Sequence, residues 1–288
     1  MRLLVTADLH YNHARSKPLA IDLIDRMNRA GGDALLVVGD TATADGDDLE
    51  QCLARFTLPG PKLFLCGNHE LWTRGPDSYG LFTHDLPRRV RALGWQWLET
   101  DPFVTPQFAV VGTIGWYDYS LASPRLAIPR RFYEAKCSPG AAEYLKRADL
   151  LAGAADVTPD GLATVARWND GKFVKLHRTD DAFLGECVAR LEAQLAQLAH
   201  VPDVVVATHH LPFRDLLPPT RYNQLDFAKA YLGSDRLGQA IARFPNVRRV
   251  YCGHSHFPAR ATIGLIDAIN LGSSYRWKTF DTLDLPNP

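Results

Sequence analysis

Five short apolar runs in this chain each end on residues that can bind a metal ion. "RLLVTADLH" closes on Asp8 and His10, and "ALLVVGD" on Asp40. "KLFLCGNHE" closes on Asn68 and His69, "DVVVATHH" on His209 and His210, and "RRVYCGHSH" on His254 and His256. The runs near the N-terminus are continuous in Val, Leu and Ile rather than alternating, as expected of strands buried on both faces. In open α/β sheets the loops at the carboxyl ends of strands gather into one crevice. Five such ends would bring these side chains together.

The stretches between the runs read as helices. "PLAIDLIDRMNRAG" (18–31) has apolar residues at helical spacing and stops at Gly31-Gly32. A short helix is expected over 47–56, a long one over 181–201, and two shorter ones near 224–232 and 235–244. The tail suggests two or three short strands. Residues from about 117 to 180 differ, being rich in Arg, Tyr and Pro with weaker periodicity. They read as an insertion or cap over the face of the sheet. Within it, Asn169-Asp170-Gly171 predicts a turn joining two strands.

The chain has 288 residues, 46% hydrophobic and 22% charged, enough for a full core. The expected organisation is a single domain over 1–288, carrying the insertion. Lys+Arg and Asp+Glu both number 32, so the overall balance gives no support for a nucleic-acid or anionic-membrane partner. The N-terminal apolar run is too short for a secretory signal, and no run approaches the ~18 residues that span a bilayer. Five cysteines without CxxC spacing predict reduced thiols in a cytoplasmic protein.

Two carboxylates, one amide and four imidazoles make seven ligands, and a bridging carboxylate would count twice. Each of two ions would then have four protein ligands, with room for water. Histidines at i and i+2 in an extended segment point to opposite sides, so His254 and His256 would serve one ion each. Mixed oxygen and imidazole donors suit manganese, with iron or zinc as alternatives. Two ions about 3.5–4 Å apart can clamp the attacking and leaving oxygens of a phosphate ester.

"DLH", "GD", "GNHE", "THH" and "GHSH", in that order, strongly resemble the calcineurin-like metallophosphoesterases over about residues 1–275. The resemblance implies an α/β fold, a four-layer sandwich of two mixed β-sheets flanked by helices. It implies that Asp8, His10 and His256 hold one metal, that Asn68, His209 and His254 hold the other, and that Asp40 bridges them. His209 is preferred over His210 as the first histidine after the strand. His69 would act beside the leaving group as general acid or charge stabiliser, with Glu70 orienting it. The nucleophile would be a metal-bridging hydroxide attacking phosphorus in line.

One departure concerns the second motif. Many members read GDxxD, whereas "GDTATADGDD" has no Asp at that offset, and Asp45 is expected to cap the helix at 47. Trp116 and Tyr117 are candidate substrate contacts, and Arg130, Arg131, Arg178 and Arg214 are candidate phosphate clamps. The expected activity is hydrolysis of a small-molecule phosphomonoester or phosphodiester. The rival readings are a nuclease of the same family and a non-catalytic metal-binding interaction scaffold.

Overall fold

The structure is a computed structural model that describes residues 1–286. Its first sheet contains β1 (Arg2–Thr6), β2 (Ala34–Val38), β3 (Lys62–Leu65) and β4 (Gln96–Trp97), all parallel. The second contains β5 (Phe103–Val104), β6 (Phe108–Thr113), β7 (Asp203–Thr208), β8 (Val247–Cys252), β9 (Ala259–Ile263) and β10 (Ile266–Asn270) in the order β5-β6-β7-β8-β10-β9. Its central strands β6, β7, β8 and β10 are parallel, and β5 and β9 run antiparallel at the edges. The last strand, β11 (Phe280–Asp284), returns to the first sheet and pairs antiparallel with β1.

Period-two alternation sends each strand's side chains to two different layers. Leu3, Val5, Leu36, Val38, Leu63 and Leu65 face Phe108, Val110, Val205, Ala207 and Tyr251 in the core between the sheets. The intervening Leu4, Leu35, Val37 and Phe64 share a cluster with Leu23, Ile24 and Met27 of the helix Lys17–Ala30. On the second sheet Ala109, Val111 and Val206 join Phe183, Leu184 and Leu191 of the helix Asp180–Gln197. This is the expected four-layer α/β sandwich. The strands lack alternation in sequence because each is buried by a sheet on one side and helices on the other.

Helix ends follow local chemistry. Lys17–Ala30 starts on Pro18 and stops at Gly31, whose φ of 69° only glycine adopts freely. Asp180–Gln197 is capped by the Thr179 hydroxyl accepting from the Ala182 N–H.

Residues 117–180 form short helices, including Arg130–Glu134, Pro139–Tyr144, Pro159–Ala163 and Asp170–Phe173. The expected strand–turn–strand around Asn169-Asp170-Gly171 is therefore corrected to a single helical turn. The apparent turn signal came from a helix start, where Asn, Asp and Gly are equally at home. No helix among the described residues is long and apolar enough to cross a membrane.

Candidate functional site

The ends of β1, β2, β3, β7 and β8 meet at one rim. Backbone bonds stitch the loops together: Asp8 N–H donates to Gly39 O (3.0 Å), His10 N–H to Asp40 O (2.8 Å) and Gly253 N–H to His209 O (3.1 Å). Asp8, His10, Asp40, His254 and His256 all take left-handed backbone conformations, with φ between 44° and 69°. Non-glycine residues adopt this region at a cost on the order of 1 kcal/mol each, and such strain concentrates at functional sites. Gly253 must lack a side chain, because a Cβ there would lie 2.6 Å from Asp8 Oδ2.

The side chains fall into two groups that share Asp40. One holds Asp8, His10, Asp40 and His256, and the other Asp40, His209 and His254; within each, one ligating atom per residue lies within 4.8 Å of the rest. Asp40 faces both groups: Oδ2 is 3.7 Å from His10 Nε2, and Oδ1 is 3.3 Å from His209 Nε2. His254 and His256 enter different groups. They do so through left-handed backbone rather than the extended alternation expected from their spacing.

The neighbouring bonds leave particular atoms free. His209 Nδ1 pairs with Val38 O (3.0 Å), which turns Nε2 towards Asp40. His254 Nε2 pairs with Tyr231 O (3.2 Å), which leaves Nδ1 as its ligating atom. Asn68 donates its amide N–H to Asp170 Oδ1 (2.9 Å). A carboxylate oxygen only accepts, so the Asn68 oxygen must point the other way. Asn68 Oδ1 and His209 Nε2 are both buried without a hydrogen-bond partner. Buried acceptors without donors are costly in a dry site, and a divalent cation satisfies them. His210 stays outside both groups, with Nδ1 on Ile114 O at 2.9 Å.

Electrostatics fit the same partner. Burial pushes the Asp40 carboxyl up, but His209, His69 and His10 together hold it well below the usual carboxylate range. Burial alone would lower His209, yet adjacent Asp40 raises it to about 9. Burial, followed by neighbouring imidazoles, lowers His10 and His254 well below the ordinary histidine value. Neutral His10 and His254 beside an ionised Asp40 are in the protonation states that bind a cation, whereas His209 would give up its proton on binding one. Lys278 is buried at the edge of the cluster, donates to the Asp8 carbonyl, and is lowered to about 8, mainly by burial.

Glu70 has a different task from the one expected. Its carboxylate accepts backbone N–H bonds from Asp40 (3.0 Å), Thr41 (2.5 Å), Ala42 (3.1 Å) and Gly67 (2.7 Å). It ties the β2 and β3 loops together rather than orienting His69. The His69 ring is instead stacked on Trp72, with centroids 3.8 Å apart and planes 23° apart. Its Nε2 lies 3.8 Å from Asp40 Oδ2, and its side chain keeps 12% exposure. Asp45 does not cap the following helix: it accepts from Thr73 Oγ1 (3.0 Å) and Arg74 N (3.2 Å), bracing the loop that carries His69 and Trp72.

A cavity of about 320 Å³ opens over the cluster, lined by Asp40, Asn68, His69, His254 and His256. Its other walls are aromatic (Trp72, Trp168, Tyr275) and aliphatic (Leu225, Ala228, Leu232), with Arg167 also lining it. Arg167 is exposed and has no ionic partner among the described residues.

The six candidate substrate contacts are not in this cavity. Trp116 and Tyr117 are fully buried and pack residues 117–180 onto the sheets. Together with Arg178 they line a separate cavity of about 360 Å³. The four arginines are engaged elsewhere: Arg130 with Glu134 (2.8 Å), Arg131 with Asp156 (2.6 Å), Arg178 with Glu186, and Arg214 with Asp235 (2.7 Å). Sequence reasoning missed Trp72, Arg167, Trp168, Asp170 and Tyr275. The available signal was the tryptophans of "HELW" and "ARWND", since a buried indole N–H needs an acceptor and Asp170 supplies one to both.

The family model described as calcineurin-like phosphoesterase matches residues 1–258. Among solved structures, phosphopantetheinyl hydrolase (PptH) from Mycobacterium tuberculosis is similar at 22% identity and a TM-score of 0.66, covering 95% of this chain and 89% of that one. A dimetal phosphatase from Danio rerio is similar at 14% identity and a TM-score of 0.56, covering 98% and 91%. At these identities the likeness is one of fold. No curated protein matches in sequence.

Proposed function

The chain belongs to the calcineurin-like phosphoesterase family, and from that premise we propose that it hydrolyses a small phosphoester at two divalent cations. Membership makes it a metal-dependent phosphoric ester hydrolase; the two-ion centre and the substrate are our reading. The observation that carries it is Asp40, whose two oxygens face two separate groups of histidines. Asp8, His10 and His256 would hold one ion, Asn68, His209 and His254 the other, and Asp40 both. Manganese suits this donor set, with iron or zinc as alternatives. When bound, such ions supply a nucleophilic oxygen of lowered pKa and neutralise charge on the phosphoryl group.

The chain's own residues do the rest. His69 faces the cavity beside Asp40, and its Nε2 would give a proton to the leaving oxygen as the P–O bond breaks. Stacking on Trp72 limits the rotation of that ring. Burial lowers His69, which makes its protonated form the more acidic. Arg167, Trp72, Trp168 and Tyr275 replace the six earlier candidates as contacts for the organic part of the ester. A cavity of about 320 Å³ suits a small ester better than a polymer. We read 1–288 as one catalytic domain with residues 117–180 inserted. Five free, buried thiols support a reducing, cytoplasmic setting.

The test is hydrolysis of p-nitrophenyl phosphate and bis-p-nitrophenyl phosphate by chelator-stripped protein, before and after reloading with manganese. Turnover restored only on reloading is expected, and the preferred ester separates monoesterase from diesterase. Two bound metals without turnover of either ester, or of any ester in a broad phosphoester panel, would overturn the catalytic reading in favour of a scaffold.

A further inference from the structure

Asp170 belongs to the segment 117–180, far in sequence from every motif of the metal centre, yet it is fully buried beside that centre. Its two oxygens accept four side-chain hydrogen bonds. Oδ1 takes the Asn68 amide (2.9 Å) and the Trp72 indole N–H (2.7 Å). Oδ2 takes the Tyr117 hydroxyl (3.1 Å) and the Trp168 indole N–H (2.7 Å). Asn68 and Trp72 follow β3, while Tyr117, just after β6, and Trp168 both lie in the segment itself.

We propose that Asp170 is a positioning residue of the metal centre, orienting the Asn68 amide oxygen towards the second ion and setting Trp72 against His69. The proposal rests on the preceding reading of Asn68 as a metal ligand. Its physical basis is the polarity of the amide. An unconstrained Asn can present either its oxygen or its NH₂ to a cation, and only the oxygen binds. A group that can only accept, placed 2.9 Å from the NH₂, selects the binding orientation before the ion arrives. The same oxygen holds the Trp72 indole, whose face lies against the His69 ring. The segment that looks like an appended cap thereby completes the centre.

Packing alone does not explain the choice of residue. All four neighbours of the carboxyl group are donors, so an isosteric amide would set its own NH₂ against two of them. Tyr117 and Trp168 account for one oxygen; the other is committed to the residues beside the metal positions.

The experiment uses the full chain, stripped with chelator and titrated with manganese, reading bound metal by equilibrium dialysis and the coupled Mn–Mn signal by electron paramagnetic resonance. Wild type is expected to take two ions. Asp170→Asn is expected to keep one at wild-type affinity and bind the second about 10–100-fold more weakly, with the coupled signal replaced by that of isolated Mn²⁺. Tyr117→Phe, which removes one Asp170 bond without touching Asn68, should bind both ions as wild type does. Two ions bound by Asp170→Asn at wild-type affinity would overturn the proposal. If that variant does not fold, Asn68→Asp decides. A carboxylate is intrinsically the stronger ligand, so a weakened second site supports the proposal, and an equal or tighter one overturns it. Fewer than two ions on wild type at saturating manganese would remove the two-ion reading itself, and this proposal with it.

Discussion

His10 Nε2 and His256 Nε2 lie 2.9 Å apart, although the residues are separated by 246 positions in the chain. At that distance one ring's N–H can donate to the other's lone pair, and a cation between the two nitrogens can take the place of that proton. Asp8 Oδ1, 3.6 Å from His256 Nε2, and Asp40 Oδ2, 3.7 Å from His10 Nε2, converge on the same space. These four side chains converge as one candidate cation site, and Asp40 also faces the group formed with His209 and His254.

Asp40→Ala should lose both ions together, because each group loses an oxygen that faces it. The fall in metal affinity should exceed the about 10–100-fold that removal of an outer-shell partner causes. Metal content after dialysis checks this. Retention of one tightly held ion would show that the two groups do not depend on a common bridge.

His69→Ala should keep both ions and lose turnover by about 10²–10⁴-fold. The loss should be greater for an alkyl phosphate than for a nitrophenyl phosphate, whose leaving group needs no proton. Equal losses on the two esters would count against proton donation from Nε2 and favour charge stabilisation.

Arg167→Ala should raise KM and leave metal content unchanged, because this guanidinium lines the cavity with no ionic partner among the described residues. Removal of one charged hydrogen bond predicts a rise of about 10-fold or more for an anionic substrate. Arg131→Ala is the matched control. Its guanidinium is paired with Asp156 outside the cavity, and it should leave KM unchanged.

Asp226 carries the pH prediction. It is fully buried on the helix Asn223–Ala228, which supplies Leu225 and Ala228 to the cavity wall. Burial pushes its carboxyl up, but Lys229 (2.8 Å), Arg125 (2.8 Å) and Thr220 outweigh this and hold it below the usual range. The unfolded chain therefore takes up the proton first as pH falls. The stabilisation is complete above the unfolded value near 3.9 and disappears as pH drops through the lower folded value. Asp226→Asn should cost about 3 kcal/mol at pH 7, since it strands the buried Lys229. In urea unfolding from pH 7 to 3, the gap between wild type and variant should hold to about pH 5 and narrow below it.

What could be read from sequence was whatever local pattern dictates. Unalternating apolar runs meant strands covered on both faces, and metal-capable residues at five strand ends meant one crevice. Both follow from periodicity and from the geometry of parallel sheets. The substrate side was not legible, because a guanidinium's partner is set by distant parts of the chain. Arg131 and Arg167 look alike in sequence. Tertiary contacts pair the first with Asp156 and leave the second at the cavity.

Glu70 and Asp170 mark the same divide. "GNHE" identified Glu70 as belonging to the site, but only folding showed that it accepts four backbone N–H groups from two loops. Asp170 sat in a stretch with every sign of a turn, and its partners lie between 2 and 102 positions away. Sequence by itself determined which residues could bind metal and which strands would carry them, because those properties belong to single side chains and local repeats. Tertiary structure decided which end of the Asn68 amide, and which oxygen of Asp40, faces which neighbour. Hydrogen-bond direction is fixed only when donor and acceptor are brought together from separate parts of the chain.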